Sequence, residues 1–190
     1  LKIESKSCLQ LQLARLENAG LLHRLANGYF AVVPQERVGS AWMPTLEAAA
    51  AGIAAADFGA RGFALMGISA ARMHHVTPRA VGVAVVGAPR RRKAIELIDR
   101  RAAVRFLVRD LEVMDLELME TDLGRCLVTT PEQTLLDLSH RAGQRGLTDD
   151  VAAAMRALAP LCDPEELAVI AGRQRLGRAL GRLRREGLVP

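Results

Sequence analysis

Residues 9–34, LQLQLARLENAGLLHRLANGYFAVVP, join an apolar-faced helix to a tight two-stranded hairpin. Leu9, Leu13 and Leu16 recur at i, i+4 and i+7, one face of a 3.6-residue period, and Gly20 follows where a left-handed C-terminal cap costs least. Residues 21–26 and 29–33 then read as strands on either side of Asn27-Gly28, a dipeptide that tolerates positive φ at both turn positions. A helix followed by such a hairpin is the back half of a winged helix, which offers one helix to the DNA major groove and a β-ribbon to its flank.

A helix and a hairpin also occur together in domains that never meet nucleic acid, so spacing alone leaves both readings open. Composition bears on the choice. The chain has 26 Lys plus Arg against 21 Asp plus Glu, a formal charge of +5 and a pI near 9.7, which suits a polyanionic partner. On the helix, Lys6, Gln10 and Arg15 are placed away from the leucines, with Lys2, Ser5 and Ser7 leading in; Arg24, Asn27 and Tyr29 occupy the hairpin. Facing DNA, such side chains contact phosphates and base edges; otherwise they form a solvated surface.

At 190 residues there is room for a domain of ordinary size and a smaller one. Half the residues are hydrophobic but only 3% are aromatic, so the core must be built from aliphatic side chains and many alanines in close contact. Cys8, Cys126 and Cys162 are odd in number and far apart, as expected of reduced thiols in a cytoplasmic protein. No apolar run has the length of a membrane span, and the start lacks the layout of a signal peptide. Nothing before Lys6 supplies the first two helices of a helix-turn-helix. The sequence is therefore expected to begin part-way into its first domain, leaving a partial winged helix over 1–36.

Residues 34–40, PQERVGS, read as a boundary, and a second domain is expected over 41–190. It opens with an alanine-rich helix over 45–58, capped by Thr45 and ended at Gly59, and a second helix from Ser69 to about Val76, stopped by Thr77-Pro78. Short apolar or alternating runs at 80–86, 94–98, 104–108, 111–120 and 125–128 predict a small, mainly antiparallel sheet. Six carboxylates between Asp110 and Asp122, interleaved with leucines and Val113, read as the solvated face of a half-buried strand. The last third is helical: Thr130-Pro131-Glu132-Gln133 carries an N-cap, a first-turn proline and the Gln of a capping box, Asp163-Pro164-Glu165-Glu166 repeats that grammar, and 149–158 is amphipathic between them. The fold class expected is α+β.

Most candidate chemistry fails on geometry. His74 and His75 are adjacent and would point about 100° apart on a helix, which prevents chelation from one face. The GAPRRRK run lacks the spacing of a phosphate-binding loop, and Ser69 and Ser139 have no nucleophile motif around them. Two basic clusters remain. Arg90, Arg91, Arg92 and Lys93 form a cationic loop between two strands. Arg173, Arg175, Arg178, Arg182, Arg184 and Arg185 crowd what reads as a C-terminal helix with an apolar stripe of Leu176, Leu180 and Leu183. Helix C-termini favour cations, but six exceed that need, so both clusters are candidates for a DNA backbone or a protein partner.

The segments LENAGLLHRLANGYFAVV (16–33), LEAA (46–49), GISAA (67–71) and TPEQTLLDL (130–138), in this order and spacing, resemble the AbiEi family of antitoxins of type IV toxin-antitoxin systems. The resemblance implies an N-terminal winged helix that binds inverted repeats in double-stranded DNA upstream of its own operon and represses it. It further implies a C-terminal domain that opposes a toxin of nucleotidyltransferase type, with no catalysis and no cofactor. On this sequence the reading helix falls on 6–18 and the wing on 24–29, and two-fold operators call for two copies of the protein on DNA. Two other classes are weighed against it. An endonuclease-like C-terminal domain would need a Lys among clustered carboxylates, and 110–122 has none. A winged-helix regulator with a small-molecule sensing domain would need a pocket, for which aromatic material is thin.

Overall fold

The computed structural model describes residues 2–77, 82–141 and 148–190, the side chains of 2–7, 141 and 148 excepted. Seven α-helices and eight strands make up a mixed α+β fold over these residues. Helix α1 (Lys2–Asn18) leads into the hairpin β1 (Leu22–Ala26) and β2 (Tyr29–Val32). Gly20 sits at φ +70°, and the bonds from Gly20 N to Glu17 O and from Leu21 N to Leu16 O close the helix, as expected. The hairpin turn differs from expectation: Gly28 has φ +83° but Asn27 is not at positive φ, and a bulge between Arg24 and Ala26 absorbs the register.

The leucine face of α1 is largely uncovered. Leu9 is 57% exposed and Leu16 40%, and only Leu13 is half-buried. Period tells which residues share a face; it does not supply anything to cover that face.

Helix α2 (Leu46–Phe58) is capped by the Thr45 hydroxyl, which accepts from Ala48 N at 3.3 Å, and ends at Gly59. Its alanines at 48, 49, 50 and 54 are fully buried, which a helix with larger side chains would not allow at this depth. Helix α3 (Ile68–Met73) is shorter than expected, and the Pro78 stop lies outside the described residues.

The sheet runs β5 (Ile95–Glu96), β6 (Ala103–Val108), β4 (Val83–Ala88), β3 (Ala64–Leu65), β8 (Gly124–Thr129), β7 (Leu116–Thr121). Three pairings are antiparallel, as most were expected to be, but β4 with β6 and β3 with β8 are parallel, so the sheet is mixed. Strand β3 has two residues and no sequence signal, yet it is the element that joins the two halves. The start of the strand expected at 80–86 lies outside the described residues at 80–81. The acidic run is corrected in its first part, where Leu111–Val113 is a single 3-10 turn; from Leu116 it is the strand β7, at the sheet edge, with Glu117 and Glu120 exposed, Leu116 and Met119 half-buried and Leu118 57% exposed.

Alternation along β4 divides the core. Ala84 and Val86 face a cluster with α2, β1, β2 and Phe63, while Val85 faces a second cluster built from α3 to α7. Leu25, Ala26 and Ala31 place the hairpin within the first of these. The second holds α4 (Pro131–Arg141), α5 (Thr148–Leu158), α6 (Pro164–Arg173) and α7 (Gly177–Arg185). The Thr130 hydroxyl caps Gln133 N at 3.3 Å, but the Gln133 side chain does not complete the capping box. It is fully buried, donates to Gln174 Oε1 and accepts from Asp115 N and Gln174 Nε2. The expected C-terminal helix is two helices: Arg173 ends α6, Arg175 stands between at φ +57°, and Leu180 and Leu183 of α7 are buried as expected. All three cysteines are free, and burial pushes the thiols of Cys126 and Cys162 up to about 11 and about 12.

Candidate nucleic-acid interface

Two candidate segments far apart in sequence meet at the end of α2. Asp57 occupies the last turn of that helix, where the backbone dipole disfavours a carboxylate, and three groups hold it there. The Tyr29 hydroxyl donates to its Oδ1 at 2.7 Å, Arg92 Nε donates to its Oδ2 at 2.6 Å, and Arg90 reaches the Asp57 carbonyl at 3.0 Å. Arg92 also donates to the Tyr29 oxygen at 2.7 Å, closing a triangle between β2, α2 and the β4–β5 loop. Partial burial pushes Asp57 upward, but the bonds from Tyr29 and Arg92 outweigh it and hold the carboxyl below the usual range. Burial and the Asp57 bond raise the Tyr29 hydroxyl.

This geometry redistributes the candidates. Tyr29 and Arg92 are internal to the triangle, and Arg90 lies over the Phe58 ring at 5.2 Å, so these three position the loop. Arg91 and Lys93 are exposed and make no hydrogen bond or ion pair among the described residues. Arg24 is exposed, donates to Asn27 Oδ1 at 3.1 Å and lies 5.9 Å from the Phe30 ring centroid, so the hairpin tip holds its guanidinium in place. Arg24 on the hairpin and Arg91 and Lys93 on the loop are thus exposed cations on two segments that are tied together through Asp57.

On α1, Gln10 and Arg15 are exposed. Five residues apart, they are rotated by about 140° around the helix axis and so address different surroundings. The side chains of Lys2, Ser5, Lys6 and Ser7 lie outside the described residues. The arginines of the last third are not part of this surface's network. Arg173 pairs with Asp115 at 2.7 Å, Arg182 donates to Ser139 O at 2.9 Å and Arg184 to Pro190 O at 2.7 Å, while Arg178 and Arg185 are exposed.

A second clamp, not foreseen from sequence, fixes the hairpin from its other strand. His23 Nε2 lies 2.7 Å from Asp99 Oδ2, Arg100 donates to both oxygens of Asp99, and Ile98 N donates to Leu25 O at 2.8 Å. Burial pushes Asp99 up, and Arg100 and His23 together bring it below its usual range. A carboxyl with a depressed folded pKa adds stability that is fully present above its unfolded value and lost as pH falls through the folded one. The urea midpoint is therefore expected to fall as pH is lowered below about 4, and to fall less in Asp99→Asn. Trp42, whose ring meets the His23 edge at 6.0 Å and is the chain's single tryptophan, gives the fluorescence readout. An acid loss of equal size in Asp99→Asn would remove this clamp from the account.

His74 Nε2 lies 2.8 Å from Thr129 O, and among the described residues no three of His, Cys, Asp and Glu are placed to hold a metal ion. No helix among them is long and apolar enough to cross a membrane.

Residues 63–185 match the family model for the AbiEi antitoxin C-terminal domain. The fold is similar to that of the RV2827C protein from Mycobacterium tuberculosis, with TM-score 0.56 and 20% identity over 86% of this chain. The chain spans 59% of the length of that protein. An antigenic nucleotidyltransferase-like protein from Paracoccidioides brasiliensis aligns at TM-score 0.43 and 12% identity over 65% of this chain and 79% of its own, a likeness too distant to carry an argument. No curated protein matches the sequence.

Proposed function

The chain belongs to the AbiEi antitoxin family, and on that premise we propose that it neutralises a nucleotidyltransferase-type toxin and represses its own operon by binding inverted repeats upstream. The family membership supports the antitoxin half. The DNA half rests on one observation, the junction at Asp57 that puts the hairpin tip and the exposed Arg91 and Lys93 on one rigid support. In this reading residues 1–36 serve DNA and 41–190 oppose the toxin, the two parts sharing the core around Leu25 and Ala31. The protein acts in the cytoplasm by binding and not by catalysis, with two copies on a two-fold operator. Arg24, Arg91 and Lys93 neutralise phosphates, together with Arg15, while Gln10 and the serines and lysines before it read base edges.

Titration of the full chain with a duplex from upstream of its gene and with a random duplex of equal length tests this. Preference for the upstream duplex, with affinity falling steeply as salt rises, is the expected result. Equal, salt-insensitive binding to both would contradict it. The other reading, a regulator with a small-molecule sensing domain, has one observation in its favour: a cleft beside Arg109 with an aliphatic wall and no aromatic residue.

A further inference from the structure

Where β6 ends, a cleft of about 470 Å³ opens against the C-terminal end of α4 and the α6–α7 junction. The volume falls in the range of small-ligand sites. Val108, Val113, Met114 and Leu176 form an aliphatic wall, and Arg109, Arg173 and Arg175 converge on the same space, with His140 at its edge.

Two of these guanidiniums are anchored by carboxylates. Arg109 lies 3.4 Å from Asp137 Oδ1, whose side chain is 3% exposed, and Arg173 lies 2.7 Å from Asp115 Oδ2. Each keeps further N–H donors beyond those the carboxylate takes. Asp110, also at the cleft, caps the 3-10 turn by accepting from Glu112 N at 3.1 Å.

The Arg175 guanidinium makes no hydrogen bond or ion pair among the described residues, and the residue sits at φ +57° just past the end of α6, its N–H donating to Gly172 O at 3.3 Å. Glycine or asparagine is the ordinary occupant of such a position, because a Cβ is strained there. The bonds from Arg175 N to Gly172 O and from Leu176 N to Ala171 O account for the left-handed backbone, and the arginine side chain there leaves a free guanidinium beside two anchored ones.

We propose that this cleft binds a small phosphate monoester of nucleotide size, with the phosphate on the three arginines and the ring on the aliphatic wall. The free fork of Arg175, with the donors that Arg109 and Arg173 keep beyond their carboxylates, suits the three acceptor oxygens and double charge of a phosphate monoester better than a single carboxylate. The cleft shares no residue with those assigned to DNA, so each can fail without the other.

Isothermal titration of the full chain with the four common nucleoside monophosphates tests the proposal, with adenosine and inorganic phosphate as comparison probes. At least one nucleotide is expected to bind saturably at one per chain, inorganic phosphate to compete, and adenosine to bind at least about tenfold more weakly than AMP. Arg175→Gly places the residue best suited to φ +57°, so its melting temperature should equal or exceed that of the parent while nucleotide affinity falls at least about tenfold. No saturable nucleotide binding, equal binding of AMP and adenosine, or unchanged affinity in Arg175→Gly would each overturn it. Loss of duplex DNA affinity in Arg175→Gly without any nucleotide binding would also overturn it and give the cleft to a nucleic-acid backbone.

Discussion

Glu47→Ala is expected to lower the stability of the chain by about 3–5 kcal/mol, because it strands a buried guanidinium. Glu47 is 8% exposed in the first turn of α2, where the helix dipole favours a carboxylate. Its Oε1 accepts from Arg72 Nε at 2.7 Å and from the Ser69 hydroxyl at 3.2 Å. Arg72 donates in turn to Ser69 Oγ and to Val83 O, and Ser69 Oγ accepts from Val85 N at 3.0 Å. One network thus ties α2, α3 and β4 across the layer that separates the two cores. Its Arg72 Nη1 already lacks a partner among the described residues, so little remains to absorb the charge once Glu47 is gone. Against an ordinary domain stability of about 5–15 kcal/mol, the loss is large. Urea denaturation reads it as a lower midpoint at unchanged slope. The double replacement Glu47→Leu with Arg72→Leu is expected to return much of the loss, since apolar side chains of similar volume often replace a buried pair without cost. A loss under about 1 kcal/mol in Glu47→Ala would mean that the pair behaves as a solvated surface pair.

The second large effect concerns DNA. Replacing both Arg91 and Lys93 by alanine is expected to weaken binding to upstream and random duplexes alike and to flatten the plot of log K against log salt by about 1.8, at about 0.9 per phosphate contact. Neither side chain supports the fold, so stability should change by less than about 0.5 kcal/mol. Arg24→Ala should remove about 0.9 from the slope in the same way. Gln10→Ala should instead narrow the gap between upstream and random duplexes by about 1–3 kcal/mol while leaving the slope in place. If the double replacement left the slope unchanged, the basic loop would have no part in DNA binding. Tyr29→Phe separates support from contact: it removes one bond to Asp57, and its effect should follow the order of the loop and not the count of charges.

What could be read in advance follows from where the information sits. The starts of α2, α4 and α6 were legible because Thr45, Thr130 and Asp163 are caps, and a cap is a local interaction between a side chain and backbone two or three residues on. The hairpin was legible from Asn27-Gly28 for the same reason. Strand β3 was not, since two residues hold no period and its pairing with β8 joins Leu65 to Val128. The leucines of α1 were identified as a face but their exposure was not foreseen, because burial is set by a neighbour that periodicity cannot name. Gln133 matched a capping box locally and was taken instead by Gln174, forty-one residues away.

The candidate site divides along the same line. Arg91 and Lys93 stood out as part of a charge run, and Arg24 as part of a wing. Asp57, which joins them, carried only a faint signal, an acid placed at the unfavourable end of an alanine-rich helix. Arg109 had no motif around it at all. Its pairing with Asp137 and its place beside Arg173 and Arg175 arise when β6, α4 and the α6–α7 junction meet.

The antitoxin assignment is tested most directly by growth of a surrogate bacterium in which the neighbouring gene is induced with and without the gene for this chain. An antitoxin requires that the neighbour arrest growth alone and that co-expression restore it. A neighbour that is harmless, or an arrest that persists while this protein accumulates in folded form, would contradict the account.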